Sequence, residues 1–112
     1  MRWATKTIAL MVALGSSPAL AENWVTVFDS EPFSASVDKD SIRRGSDNLV
    51  YFTSNGAGGK TDNAADCQRR LTYTLKLYVH GGLNYPNWRD EGRAVVVDSI
   101  GDAILTYACA NS

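Results

Sequence analysis

The sequence predicts an α+β domain, in which an antiparallel β-sheet is packed by a C-terminal α-helix and closed by one disulfide. Short segments rich in β-branched and aromatic residues recur over residues 24–79, separated by clusters of turn formers. An apolar stripe with helical spacing begins after Ser99. Cys67 lies near the start of the longest predicted strand and Cys109 in the last turn of the predicted helix.

Residues 1–21 have the features of a cleavable secretory signal. A positively charged start precedes the uncharged apolar run 8–14, and Ala19 and Ala21 occupy both specificity positions of a signal peptidase. The run is too short for a membrane anchor, which needs about 20 apolar residues. We therefore expect export to the periplasm, the cell surface or the medium, with one domain over residues 22–112.

Residues 22–112 carry no excess of positive charge. Without Arg2 and Lys6, nine basic residues (11 − 2) face 12 acidic ones, which gives a net charge of −3. Nucleic acid is therefore a poor candidate partner. No second apolar stretch is long enough to cross a bilayer, so no transmembrane segment is expected after the signal is cleaved.

The two cysteines are expected to form a structural disulfide, because an exported chain meets an oxidising compartment. Cys67 and Cys109 would close a loop of 42 residues (109 − 67). The loss of chain entropy in the unfolded state would then stabilise the fold by about 4 kcal/mol. The alternatives are a redox pair and a metal site. A redox pair is disfavoured because redox cysteines are usually spaced C-x-x-C. A zinc site is disfavoured because zinc would need further Cys or His ligands, and His80 is the single histidine.

The N-terminal half of the domain contains three predicted strands. Residues 24–28 form the first, with Trp24, Thr26 and Phe28 expected on one face. A turn then leads to a half-buried strand over residues 33–37. Residues 38–41 have turn chemistry, because their Asp and Ser side chains bond the local backbone. Residues 49–53 are apolar on both faces, which is typical of a central strand.

Residues 54–63 are predicted to be a glycine-rich loop, and residues 67–79 a long strand with strict alternation. One face of this strand is expected to be buried and carries Cys67, Leu71, Tyr73, Leu75, Leu77 and Val79. The opposite face is expected to be exposed to solvent. Exposed Tyr and Arg are favoured at interfaces, so four residues of this face form a candidate protein-binding face: Arg70, Lys76, Tyr78 and His80. An ordinary solvated sheet face is the alternative.

The C-terminal part is predicted to be a loop, a short strand and a helix. Residues 83–92 are rich in turn formers and residues 93–97 are a candidate strand. The Ser99 side chain is expected to cap the helix by accepting a hydrogen bond from the Asp102 amide. The Asp102 carboxylate is expected to accept one from the Ser99 amide in return. The apolar stripe of the helix contains Ile100, Ala103, Ile104, Tyr107 and Ala108.

Patterns that suggest nucleotide or metal binding are incomplete, so no cofactor or metal is expected. Residues 54–61 resemble a phosphate-binding loop, but Ser54 replaces its first glycine and no helical stripe follows. Asp38 and Asp40 begin like a calcium loop, but Ile42 stands where a third oxygen ligand is required.

No complete catalytic constellation is visible, and we expect no enzymatic activity. A nucleophile motif of the G-x-S-x-G type is missing. The alternative is a small periplasmic enzyme inhibitor or a hydrolase-like enzyme. An enzyme would need His80 to converge with Asp90 and Glu91, whereas an inhibitor would use residues 85–88 as an exposed rigid loop.

Several short motifs occur in an order that resembles the surface-adhesin protein E family of exported bacterial proteins. A strand led by Trp24 follows the signal. Residues 37–44 (VDKDSIRR) resemble the family's D-x-x-S-I-R turn, and residues 66–71 (DCQRRL) resemble its D-C-x-x-R element. Residues 99–109 resemble its closing helix with a terminal cysteine. The pattern differs in the loops at residues 54–62 and 85–88.

This resemblance implies a small antiparallel sheet with a helix across it and no catalytic residues. It also implies a binding function, because the named member of the family binds extracellular-matrix and serum proteins. The expected partners are therefore extracellular-matrix, serum or cell-envelope proteins. The family member can dimerise, so a homodimer is a further expectation.

Overall fold

The computed structural model describes residues 22–112, and of His80 only the backbone. The predicted signal lies outside the described residues. Within them, eight strands form one antiparallel sheet and one helix packs on it, which confirms the predicted fold class. The elements are β1 Trp24–Ser30, β2 Phe33–Asp38, β3 Arg43–Arg44, β4 Val50–Gly56, β5 Gly59–Asp66, β6 Leu71–Leu77, β7 Leu83–Asn84, β8 Arg93–Ala94 and α1 Ile100–Ala110.

The strands follow one another across the sheet in the order β1-β2-β4-β5-β6-β7. The two-residue strand β3 pairs with β4, and β8 pairs with β6. Short turns join the longest neighbours, with only residues 31–32 between β1 and β2 and 57–58 between β4 and β5. Within the described residues, β1 is an edge strand with a single neighbour.

The turn after β2 is confirmed, and its hydrogen bonds show why these residues form it. Asp38 Oδ1 accepts from the Asp40 amide at 3.2 Å, which caps the 3₁₀ turn Lys39–Ser41. Ser41 Oγ donates to the Asp38 carbonyl at 2.6 Å and accepts from the Thr53 amide at 2.8 Å. The turn is thereby fastened to β4.

The prediction of a glycine-rich loop over residues 54–63 is wrong. β4 continues to Gly56, the turn has only residues 57–58, and β5 begins at Gly59. The polar residues that suggested a loop bond one another across the strands instead. Ser54 Oγ accepts from Asn63 Nδ2 at 2.8 Å and shares a 3.1 Å hydrogen bond with Thr61 Oγ1. A strand therefore follows the P-loop-like segment, where nucleotide binding would require a helix.

The predicted strand over residues 67–79 is shorter in the structure. β6 spans Leu71–Leu77, and Cys67 lies in the turn before it, where Arg70 has a φ of 53°. The β5–β6 register also shifts, because Asn63 pairs with Thr74 but Asp62 pairs with Lys76. Leu75 is thus an extra residue, a β-bulge that reverses the facing of the residues after it. The predicted last strand, residues 93–97, is reduced to Arg93–Ala94.

The core lies between α1 and one face of the sheet. Its buried members are Val37, Val50, Phe52, Ala65, Leu105 and Ala108. Ser99 Oγ accepts from the Asp102 amide at 3.2 Å, which confirms the predicted cap. The Asp102 carboxylate bonds back to the Asp98 amide at 2.9 Å, one residue earlier than expected. The largest fully buried side chain of the helix is that of Leu105, which the predicted stripe omits.

The predicted disulfide is present between Cys67 and Cys109, whose Cα atoms are 6.0 Å apart. It joins the turn before β6 to the last turn of α1, and both cysteines pack against the core. The C-terminal helix is therefore held at its N-terminus by the Ser99 cap and at its C-terminus by a covalent bond.

Candidate functional site

The sheet face opposite α1, here called the outer face, carries two tyrosines that contact Trp88. Ala65 is in the core, so the alternation along β5 turns Lys60, Asp62 and Ala64 to the outer face. Ala64 pairs with Tyr51 on β4 and with Tyr73 on β6. This row crosses the centre of the sheet.

Trp88 covers this row and buries it in part. Its ring lies edge-on to Tyr51 and Tyr73, with centroid distances of 6.1 and 5.5 Å. Gly92 lets the loop approach closely, since a Cβ there would be 2.6 Å from Tyr73 Cε2. Ala64 is fully buried as a result, although α1 is on the other side of the sheet. Edge-on aromatic pairs of this kind stabilise by about 1 kcal/mol each beyond their area burial.

Beside the row lies the Tyr78 cluster, which consists of Lys60, Asp62, Lys76 and Tyr78. Tyr78 Oη donates to Asp62 Oδ2 at 2.9 Å, and Thr53 Oγ1 donates to the other carboxylate oxygen at 2.9 Å. The ammonium groups of Lys60 and Lys76 lie 4.7 and 4.5 Å from the Tyr78 ring centroid. These distances are within the range of cation–π attraction.

Hydrogen bonding within the Tyr78 cluster fixes its charges. The bond to Asp62, followed by burial, raises the pKa of Tyr78 because both favour the neutral phenol. Lys60 Nζ donates to Glu22 Oε2 at 2.8 Å, which raises the pKa of Lys60 and lowers that of Glu22. The phenol of Tyr78 thus lies between the ammonium groups of Lys60 and Lys76 and donates to the Asp62 carboxylate.

Two further cation–aromatic pairs lie on the outer face. The Arg43 guanidinium is 4.6 Å from the Tyr51 ring centroid, and that of Arg89 is 4.2 Å from Trp88. Asp47 accepts from the Tyr51 hydroxyl and forms a 3.5 Å ion pair with Arg89. The hydroxyl of Tyr51 is the main reason that the pKa of Asp47 is lowered, while burial is the main reason that the pKa of Tyr51 is raised.

The structure brings together two of the four residues of the predicted binding face. Lys76 and Tyr78 are neighbours on the outer face. Arg70 is on the opposite side, where its guanidinium bonds Asp102 and Thr106 of α1. The alignment of Arg70 with Lys76 is therefore wrong, because the bulge at Leu75 reverses the facing of the strand between them. The side chain of His80 lies outside the described residues.

The partners of Lys76 and Tyr78 on the outer face come from a segment that is not predicted to be a strand. The sequence predicts Lys60 and Asp62 in a glycine-rich loop, whereas β5 places both beside Lys76 and Tyr78. The period-two spacing of Lys60, Asp62 and Ala64 is a signal that could have shown their common face. Its weakness is composition, because Gly, Lys, Asp and Asn are all poor strand formers.

The alternative functions rely on residues of the loop between β7 and β8. Asp90 and Glu91 are exposed in the loop after Trp88. Within residues 22–112, and without the His80 side chain, no group of three or more His, Cys, Asp and Glu could hold a metal ion. The 85–88 loop is fastened to the sheet by the Tyr85 amide, which donates to the Leu75 carbonyl at 2.9 Å.

Among residues 22–112, no helix is long and apolar enough to cross a lipid bilayer. Comparisons with protein-family models, with curated proteins and with solved structures found no match to this chain. The resemblance to the surface-adhesin protein E family thus stays a prediction from the motifs themselves.

Proposed function

We propose that the protein is an exported, non-catalytic binding protein that binds an extracellular or cell-envelope protein through its outer face. The observation that carries this proposal is the set of cation–aromatic pairs on a sheet face that α1 leaves open. Export is supported by the signal features of residues 1–21 and by the disulfide, which suits an oxidising compartment.

The chemistry of the outer face favours a protein partner. Tyr, Trp and Arg are the residues most enriched where binding energy is concentrated. Here their rings are held by packing and hydrogen bonds, as Tyr51 and Trp88 show, so little side-chain entropy is lost on binding. A rigid aromatic surface with charged rims is typical of protein interfaces.

The charges of the outer face favour an acidic segment of that partner. Within the described residues, Arg43 and Lys76 form no ion pair, while the carboxylates of Asp47 and Asp62 are engaged by hydroxyl groups. A partner carboxylate could therefore pair with Arg43 or Lys76 without breaking an existing ion pair, and the unfavourable contribution is the partial desolvation of the charges. Binding of this kind weakens as salt screens the charges.

The test is surface plasmon resonance of the oxidised protein against extracellular-matrix proteins, serum proteins and cell-envelope extracts. Saturable binding is expected, and Lys76→Glu or Tyr78→Ala should weaken it at least tenfold, since about 1.4 kcal/mol corresponds to that factor. Tyr78→Phe keeps the ring beside both lysines and should bind nearly as well as the wild type.

Arg69→Glu is the matched control for charge, because Arg69 is exposed in the turn before β6 and forms its ion pair with Asp66 rather than with a member of the Tyr78 cluster. It should leave the affinity unchanged. The proposal fails if no partner in the panel binds saturably, or if Lys76→Glu and Arg69→Glu weaken binding equally.

A further inference from the structure

A second surface of the molecule is a groove between the edge strand β1 and helix α1. Its volume is about 630 Å³, and Val25, Val27, Phe28, Ala103, Tyr107 and Ala110 are among the residues that line it. The groove is on the helix side of the sheet, and none of its lining residues belongs to the aromatic row or to the Tyr78 cluster of the outer face. It is therefore a candidate site that is independent of the proposed function.

A bulge in β1 makes the floor of this groove apolar. Thr26 pairs with Ser36 and Phe28 pairs with Ala35, so Val27 is an extra residue in β1. Val25 and Val27 lie on the core side, and the register shift brings Phe28 to that side as well. The prediction that Thr26 and Phe28 lie on one face of β1 is thus wrong. The result is an apolar stripe at an open strand edge.

The backbone of β1 also presents unpaired hydrogen-bonding groups at this edge. The Lys39 amide donates to the Asn23 carbonyl at 2.8 Å, which makes Asn23 and Lys39 a hydrogen-bonded pair. Hydrogen-bonded and non-hydrogen-bonded pairs alternate along antiparallel strands. Trp24 and Thr26 therefore turn their amide and carbonyl groups away from β2, toward the open edge.

The charged residues that line the groove are acidic. Asp98 and Asp102 line it, and its lining contains no lysine or arginine. Asp102 is bonded by Arg70 and by the Asp98 amide. The carboxylate of Asp98, exposed beside the helix N-terminus, has no hydrogen-bond donor within the described residues.

From these observations we infer that the β1–α1 groove binds a short extended peptide segment that adds a strand to β1, with alternate apolar side chains and one basic residue. Main-chain hydrogen bonds at the edge supply affinity, and the groove accepts alternate side chains. The bulge at Val27 interrupts the regular ladder, which favours a segment of about four to six residues over a long second copy of β1.

The test measures fluorescence anisotropy of a labelled hexapeptide, Lys-Val-Thr-Val-Thr-Val, with the oxidised protein obtained by exporting the full chain. Saturable binding with a Kd below about 1 mM is expected. The same peptide with alternate amides N-methylated, or with Glu in place of Lys, should bind at least tenfold more weakly. Absence of saturable binding by the first peptide overturns the inference.

Two variants examine the site itself. Thr26→Pro removes an edge amide that the β1–β2 ladder does not use, and Ala110→Trp fills the groove from the exposed end of α1. Each should weaken peptide binding at least tenfold. Asn111→Trp, which adds the same ring one residue outside the lining, should leave peptide binding unchanged, and circular dichroism would verify folding.

The outcomes separate this site from the outer face. Tyr78→Ala should leave peptide binding unchanged, and Ala110→Trp should leave binding to the outer-face partner unchanged. If sedimentation shows a dimer that Ala110→Trp dissociates, a second copy occupies the groove and the inference of a peptide ligand is wrong. Equal peptide binding by the Ala110→Trp variant and the wild type also overturns it.

Discussion

Removing the disulfide is expected to lower the stability of this domain more than any single exposed substitution. In the double variant Cys67→Ala, Cys109→Ala, the unfolded chain regains the entropy that a closed loop of 42 residues denies it. Loop-closure theory gives about 4 kcal/mol for a loop of this length. A domain of this size has a total free energy of unfolding of roughly 5–13 kcal/mol, so the loss is a large fraction.

The corresponding change in Tm follows from the entropy of unfolding. At about 2.1 cal/mol/K per residue, residues 22–112 give roughly 190 cal/mol/K, and 4 kcal/mol then corresponds to a fall of about 20 °C. Differential scanning calorimetry would measure it. Urea unfolding should also show a larger m-value, because the unfolded state without the cross-link exposes more surface.

Reduced wild-type protein is the matched control, because both side chains remain while the cross-link is lost. It should melt near the double variant, with any remaining difference due to the packing of Cys67 and Cys109 against the core. If both samples melt within about 5 °C of the oxidised protein, the loop-entropy reasoning is refuted, since that fall corresponds to about 1 kcal/mol.

Three further predictions concern α1. Leu105→Ala should lower the free energy of unfolding, measured in urea, by about 3 kcal/mol because Leu105 is fully buried. The control Val97→Ala, at a residue that is 75% exposed, should change it by under about 0.5 kcal/mol. Similar losses in the two variants would contradict this account. Ser99→Ala removes the helix cap and should cost about 1 kcal/mol, with Ser99→Asp as the conservative control, and an unchanged midpoint would count against the cap. The Asp98 amide, and then Arg70, lower the pKa of Asp102 below 3.8. A group with a depressed folded-state pKa contributes stability above its unfolded-state pKa, and this stability is lost as pH falls through the folded-state pKa. Asp102→Asn should therefore flatten the fall in Tm as pH decreases below about 4. Parallel curves of Tm against pH for the variant and the wild type would contradict this.

Local chemistry made several elements predictable. The turn at residues 38–41 and the cap at Ser99 depend on side chains that bond amides two or three residues away, so adjacent sequence contains both partners. The cysteine pair was predictable from the even count and from the oxidising compartment that the signal features predict. The strand β5 was not, because its residues are poor strand formers and are held by β4 and β6 on both sides.

The candidate site was predictable only in part. Lys76 and Tyr78 were identified from alternation, and they are together on the outer face. Their partners Lys60 and Asp62 come from a strand whose register with β6 no local pattern specifies. Arg70 was grouped with them because an unbroken strand has period two, and one extra residue in a strand changes that period.

By itself, the amino-acid sequence determined the fold class, the capped C-terminal helix and the cysteine pair, because alternation, helical spacing and capping act over a few residues. The tertiary structure alone decided which side chains share the outer face and that β1 is left with an open edge. Both depend on strand order and on the bulges at Val27 and Leu75, where packing across the sheet overrides local periodicity.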